Sequence, residues 1–270
     1  YVHWQEAAPL TELGAVNFTV KNYRWDIAVT WLQYQRVFDQ LKMLEIKARE
    51  AGEHFATLPE RVFFQIITGA SDTDLLPAVP LAPDGAALYS AFEGDGSTAR
   101  FGVSGGNIET GGGVAAAAAI RADYFDALER MVQFQDTAGQ PIHDPGTIGR
   151  GVTITYGVAN EQVFRAAFVQ RRTIDSGGAG AAESNIILDS VHKVRLVPTQ
   201  RITDNDWFIF MDEYPIKPVF EQVALPLQEY VQIHDNSDMA RRSDVEGVFF
   251  RTYRGYGVNL PLGTVKVNNA

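Results

Sequence analysis

Apolar residues in the first part of the chain change from a two-residue period to a helical one. Phe18 and Val20 alternate with polar neighbours. After Lys21-Asn22-Tyr23-Arg24, the apolar residues Trp25, Ile27, Val29 and Trp31 fall on every second position. Side chains at i and i+2 share one face of a strand, so the pattern predicts a β-hairpin over 15–34 with a tryptophan-rich face. A lone hairpin is marginal in water, so this face needs a surface to pack on, either its own chain's core or a neighbouring subunit. The amount of apolar surface favours a neighbour, which makes Trp25, Ile27, Val29 and Trp31 candidate intersubunit contacts. Residues 1–14, with Pro9 and Gly14, read as an extended arm.

From Gln35 the spacing becomes helical. Phe38, Leu41, Leu44, Ala48, Ala51 and Phe55 recur at three- and four-residue steps, which predicts one long amphipathic helix. Thr57-Leu58-Pro59-Glu60 reads as a capping box with proline in the first turn, so the helix is broken or kinked there. Val62, Phe63, Ile66 and Ile67 form the next stripe, and Gly69 ends it. Residues 70–113 carry prolines and then a glycine-rich run, which predicts loop. Helix returns from Val114, with Ile120, Tyr124, Leu128 and Val132 on one face, and helix is also predicted over 160–169. Strands are predicted at 152–156, 192–198, 207–211, 219–233 and 245–253, with a small-residue loop over 176–184. No fixed-period repeat is present, and the fold class is α+β.

Composition narrows the function without naming it. The 270 residues are 46% hydrophobic and 21% charged, as in ordinary globular proteins. Chains of this size bury about 75% of their unfolded surface, enough for a core without staples. There is no cysteine, which removes disulfides and thiolate metal sites. A net charge of −10 disfavours nucleic-acid binding unless basic residues cluster. The nearest thing to a cluster is Arg241, Arg242, Arg251, Arg254 and Lys266 against Asp244 and Glu246, best read as intersubunit ion pairs or a solvated face. No apolar run is long enough to span a membrane. The first residue is Tyr1, with no signal-peptide pattern after it, so either a precursor has been cut at this point or the start of the chain is not shown.

Catalytic motifs occur only in outline. Gly102-Val103-Ser104-Gly105-Gly106 matches the spelling of a nucleophile elbow, but the flanks do not read as a strand before and a helix after. Gly106 to Gly113 has a phosphate-loop spacing without its lysine and hydroxyl residues, and reads as a flexible loop. His3, His54, His143, His192 and His234 lie far apart in sequence, with no metal-ligand spacing. The acidic run at 235–238 lacks the glycine of a calcium loop and reads as a turn. No catalytic residue, cofactor or metal ligand is assigned, and the chain is expected not to be an enzyme.

Several stretches, in order, resemble the Mu-like major head subunits, members of the tailed-phage capsid superfamily with the Hong Kong 97 fold. They are Phe18-Thr19-Val20-Lys21-Asn22 with Trp25 to Val29, and Leu58-Pro59-Glu60-Arg61-Val62-Phe63. Ala115 to Gln133 follows, leading into Asp136 to Ile142. Then come Thr203-Asp204-Asn205-Asp206-Trp207-Phe208-Ile209-Phe210 with Pro215 to Pro218, and Val245 to Gly257. The chain departs from that family in the glycine-rich loop over 72–113. The resemblance implies an N-arm and E-loop hairpin in 1–34. It implies a P-domain with a spine helix in 35–113 and 213–270, and an A-domain in 114–212. It further implies a major capsid protein whose pentamers and hexamers form an icosahedral shell around double-stranded DNA, without sequence-specific binding. The shell would be assembled in the host cytoplasm and end in the virion. Scaffold, maturation protease, portal and a decoration protein are the implied partners. An encapsulin-type compartment, which shares the fold, and a soluble hydrolase using Ser104 are the alternatives.

Overall fold

The computed structural model describes residues 20–39, 42–70, 72, 75–136, 138–144, 148, 151–170, 172–174, 182–184, 187, 193–233 and 236–269. Its elements run β1 (Asn22–Leu32), α1 (Gln33–Val37), α2 (Met43–Ala56), α3 (Leu58–Thr68), β2 (Ile108–Thr110) and α4 (Ala117–Val132). Then come β3 (Gly151–Gly157), α5 (Glu161–Phe168), β4 (Arg172–Ile174), β5 (Ala182–Ser184), β6 (Lys193–Thr199) and β7 (Trp207–Met211). The chain closes with β8 (Val219–Gln232), α6 (Asp238–Ser243), β9 (Val245–Val258) and β10 (Thr264–Asn268).

Two sheets carry two cores. The first is antiparallel, in the order β1-β9-β8, with α2 and α3 against one face. The second is mixed, in the order β2-β10-β7-β3-β6, with α4 and α5 packed on it. Strand β7 is the wall between them. Its side chains alternate, so Trp207, Ile209 and Met211 enter one core while Phe208 enters the other, with Phe210 packed against it. That double burial explains why the strand reads as a continuous apolar run.

Local sequence accounts for the helices that support these sheets. In α3, Leu58, Val62 and Ile66 repeat every four residues and are buried, and Gly69 ends the helix at φ +67°. In α4, Ile120, Tyr124 and Leu128 do the same, joined by Ala127 and Met131. Each such large apolar side chain contributes about 1.5–3 kcal/mol on burial.

Several expectations are corrected. Lys21–Arg24 is not a hairpin turn. Asn22 to Arg24 continue β1, paired with Gly255, Arg254 and Tyr253 of β9, so the partner of β1 comes from the far end of the chain. The other half of the expected hairpin, up to Thr19, lies outside the described residues, as does the arm over 1–14. The long stripe beginning at Phe38 is not one helix: Lys42 takes a left-handed φ of +53° between α1 and α2. The capping box at Thr57 does not form. Thr57 stays in the right-handed helical region, and its hydroxyl donates to the His54 carbonyl at 2.8 Å. Residues 182–184 are a strand paired with 172–174, not part of a loop. Ser237 caps α6, where only a turn was expected. The second sheet also takes β2 and β10 from outside 114–212, so hydrogen bonding runs across the boundaries drawn from sequence.

Candidate assembly surface

The tryptophan face of β1 is placed by its register with β9. Trp25, Ile27, Val29 and Trp31 point toward α2 and α3 and join the core that includes Phe55, Val248 and Phe250. Trp31 is buried at 9% exposure, while Trp25, Ile27 and Val29 are half-buried. Both indoles are bonded within the chain. Trp31 Nε1 donates to Glu246 Oε2 at 3.1 Å, and Trp25 Nε1 donates to the Arg254 carbonyl at 3.4 Å. The premise that a lone hairpin cannot cover these residues therefore does not hold, because β1 is the edge of a three-stranded sheet. Only the half-exposed parts of Trp25, Ile27 and Val29 remain open to a neighbour.

Larger apolar exposure lies beside them. Tyr34, Val37 and Phe38, in and just after α1, are exposed, as are Val223, Leu227, Tyr230 and Val231 on β8. Helix α2 covers β1 and β9 but leaves β8 largely uncovered. The gap is a groove of about 770 Å³, with Leu44, Ala48 and Gly52 on the α2 side and Val248 and Phe250 on the sheet side. Sequence periodicity missed this surface, because Phe38 falls in phase with the buried stripe of α2.

Of the five basic residues expected at intersubunit ion pairs or on a solvated face, Arg241, Arg251, Arg254 and Lys266 make pairs within the chain. Arg251 pairs with Asp26 at 2.8 Å, Arg254 with Glu221 at 2.6 Å and Lys266 with Asp206 at 2.6 Å. Arg241 pairs with Asp238 across one helical turn at 3.5 Å.

The glycine-rich segment is built, not loose. Arg100 has no solvent exposure. It bonds the Asp84 carboxylate at 2.7 and 3.0 Å and the carbonyls of Ala87 and Leu88 at 2.8 and 2.9 Å. Buried Asn107 donates to the same Leu88 carbonyl. Gly112 N–H is taken by Asp123, and Gly113 N–H by Asn269 Oδ1 at 2.9 Å, so two amides a phosphate would need already have partners. Burial pushes the Asp123 carboxyl up from its ordinary range. Ser104 follows a 3₁₀ turn at Arg100–Gly102 and precedes strand β2, with no helix after it, so the nucleophile-elbow geometry is not formed. Its carbonyl accepts from Arg130 at 2.8 Å.

His143 is buried, with Nε2 at 2.8 Å from the Leu262 carbonyl and its ring against Phe134 and Tyr214. Burial lowers its pKa below the ordinary histidine value. His54 is exposed, and the remaining histidines lie outside the described residues. Among the described residues, no group of three acidic or histidine side chains could hold a metal, and no helix is long and apolar enough to cross a membrane.

No protein-family model matches the chain, and no characterised protein matches its sequence. Solved structures do match. The mature capsid of bacteriophage PhiM1 aligns with 100% of this chain and 79% of its own, at 15% identity and a TM-score of 0.56. The capsid of cyanophage P-SCSP1u aligns over 100% and 81%, at 12% identity and TM-score 0.54. The chain has a tailed-phage capsid fold. The capsid of Myoviridae phage XM1 agrees, over 93% of this chain and 74% of that one, at 9% identity and TM-score 0.52. At such identities the shared property is the backbone path. The two cores on either side of β7, and the sheet carrying β1, are the frame of this fold in the chain.

Proposed function

We propose that the chain is a major capsid subunit, assembling as pentamers and hexamers into an icosahedral shell around double-stranded DNA. The observation that carries this reading is the alignment of the whole chain with phage capsid structures. The exposed apolar surface on α1 and β8 supports it, since isolated soluble chains seldom leave such patches open. Closed shells need several distinct contacts per subunit, and this surface offers them. The order of sequence blocks supports kinship with the Mu-like head subunits.

In this reading the chain works mechanically rather than as an enzyme, needs no cofactor, and resides in the virion after assembly in the host cytoplasm. Scaffold, maturation protease, portal and a decoration protein would be its partners. The first sheet with α2 and α3 would serve as the P-domain, and the second sheet with α4 and α5 as the A-domain. The open parts of Trp25, Ile27 and Val29 would meet a neighbour. DNA would be enclosed without sequence-specific contacts, in keeping with a net charge of −10.

Sedimentation and negative-stain electron microscopy of the purified protein, alone and with a scaffold candidate, test the reading. Closed particles of uniform size are expected. A protein that stays monomeric or dimeric under both conditions refutes it, and particles that hold a protein cargo in place of DNA would favour an encapsulin-type shell.

A further inference from the structure

We draw no further inference here: the strongest candidate, the hollow of about 680 Å³ between α3 and the end of β6, is lined by Arg61 and Arg201 together with Glu60 and Asp72, so its charge selects no ligand, and the Gln65 side-chain oxygen left without a partner among the described residues is sealed from solvent.

Discussion

The Trp31 indole donates a 3.1 Å hydrogen bond to the carboxylate of Glu246, a group with no solvent exposure that also pairs with Arg36. Three elements meet there: the end of β1, the start of β9 and helix α1. The indole is therefore a partner of a buried charge as well as an apolar filler. Trp31→Phe keeps most of the packing and removes the donor, and should destabilise the subunit by about 1.5–3 kcal/mol. Trp31→Ala also opens a cavity and should cost about 3–5 kcal/mol. Urea denaturation of the unassembled subunit checks both. A Trp31→Phe subunit as stable as the wild type would mean that the hydrogen bond contributes nothing.

Arg100 and Asp84 organise the long connection between α3 and α4. A guanidinium with no exposure depends on its carboxylate, because the carbonyls of Ala87 and Leu88 satisfy only part of its charge. Asp84→Asn should destabilise the subunit by about 3–5 kcal/mol, and Arg100→Met together with Asp84→Leu should recover part of that loss. Limited proteolysis between residues 84 and 107 gives a local readout. Cleavage there should rise in the single variant and fall back in the double. Wild-type resistance in Asp84→Asn would contradict the role given to this pair.

Much of the frame was legible in the sequence because its periods are local. Val152 to Tyr156, Trp207 to Met211 and the stripes of α3 and α4 stand where their spacing put them. The failures have a common cause in long-range pairing and buried charge. Lys21–Arg24 looks like a turn because Val20 is out of phase with Trp25, and nothing local says that Gly255 to Tyr253 lie alongside. Phe38 falls in phase with α2, yet Lys42 breaks the helix in a left-handed conformation with no glycine to signal it. The glycine run at 102–113 was visible, but the Arg100, Asn107 and Asn269 side chains that fix it are ordinary polar residues in sequence. In sequence, candidate neighbour contacts fall on Trp25, Ile27, Val29 and Trp31 because their shared face carries more apolar surface than a lone hairpin could bury. The structure uses Trp31 internally and leaves the less conspicuous Tyr34, Val37 and Phe38 outside.

His143 predicts a pH dependence. Its ring is buried against Phe134 and Tyr214, and burial lowers its pKa in the folded subunit below the ordinary 6.5. In the window below 6.5 the unfolded chain binds a proton that the folded one resists, so stability rises with pH there. The contribution is complete above about 6.5 and is lost as pH falls toward the folded value, with a slope of at most about 1.4 kcal/mol per pH unit for one proton. Asp123, whose pKa is raised by burial, acts with the opposite sign at lower pH, so the comparison must be made against a variant. Melting temperatures from pH 7 to 5 should fall more steeply for the wild type than for His143→Gln. Parallel curves would remove His143 as the source.

Two glycines with left-handed backbones separate conformational strain from lack of space. Gly96 has φ +70° and nothing within 4 Å of where a Cβ would stand, while Gly106 has φ +55° and its Cβ would lie 2.1 Å from the Ser90 carbonyl oxygen. Alanine at Gly96 meets only the backbone penalty, about 1–2 kcal/mol. Alanine at Gly106 adds a clash with main chain, and Ser90 cannot retreat easily because its N–H is held by Asn107 Oδ1 at 3.0 Å. Asn107 in turn donates to the Leu88 carbonyl, which also binds Arg100. Gly106→Ala should therefore exceed Gly96→Ala by about 2 kcal/mol or more, in the range of core damage rather than surface change. The same variant should expose the 84–107 connection to protease, which Gly96→Ala should not. If both variants melt within error of each other, the segment yields at Gly106 as a loose loop would, and the ordered network around Arg100 does not reach that far.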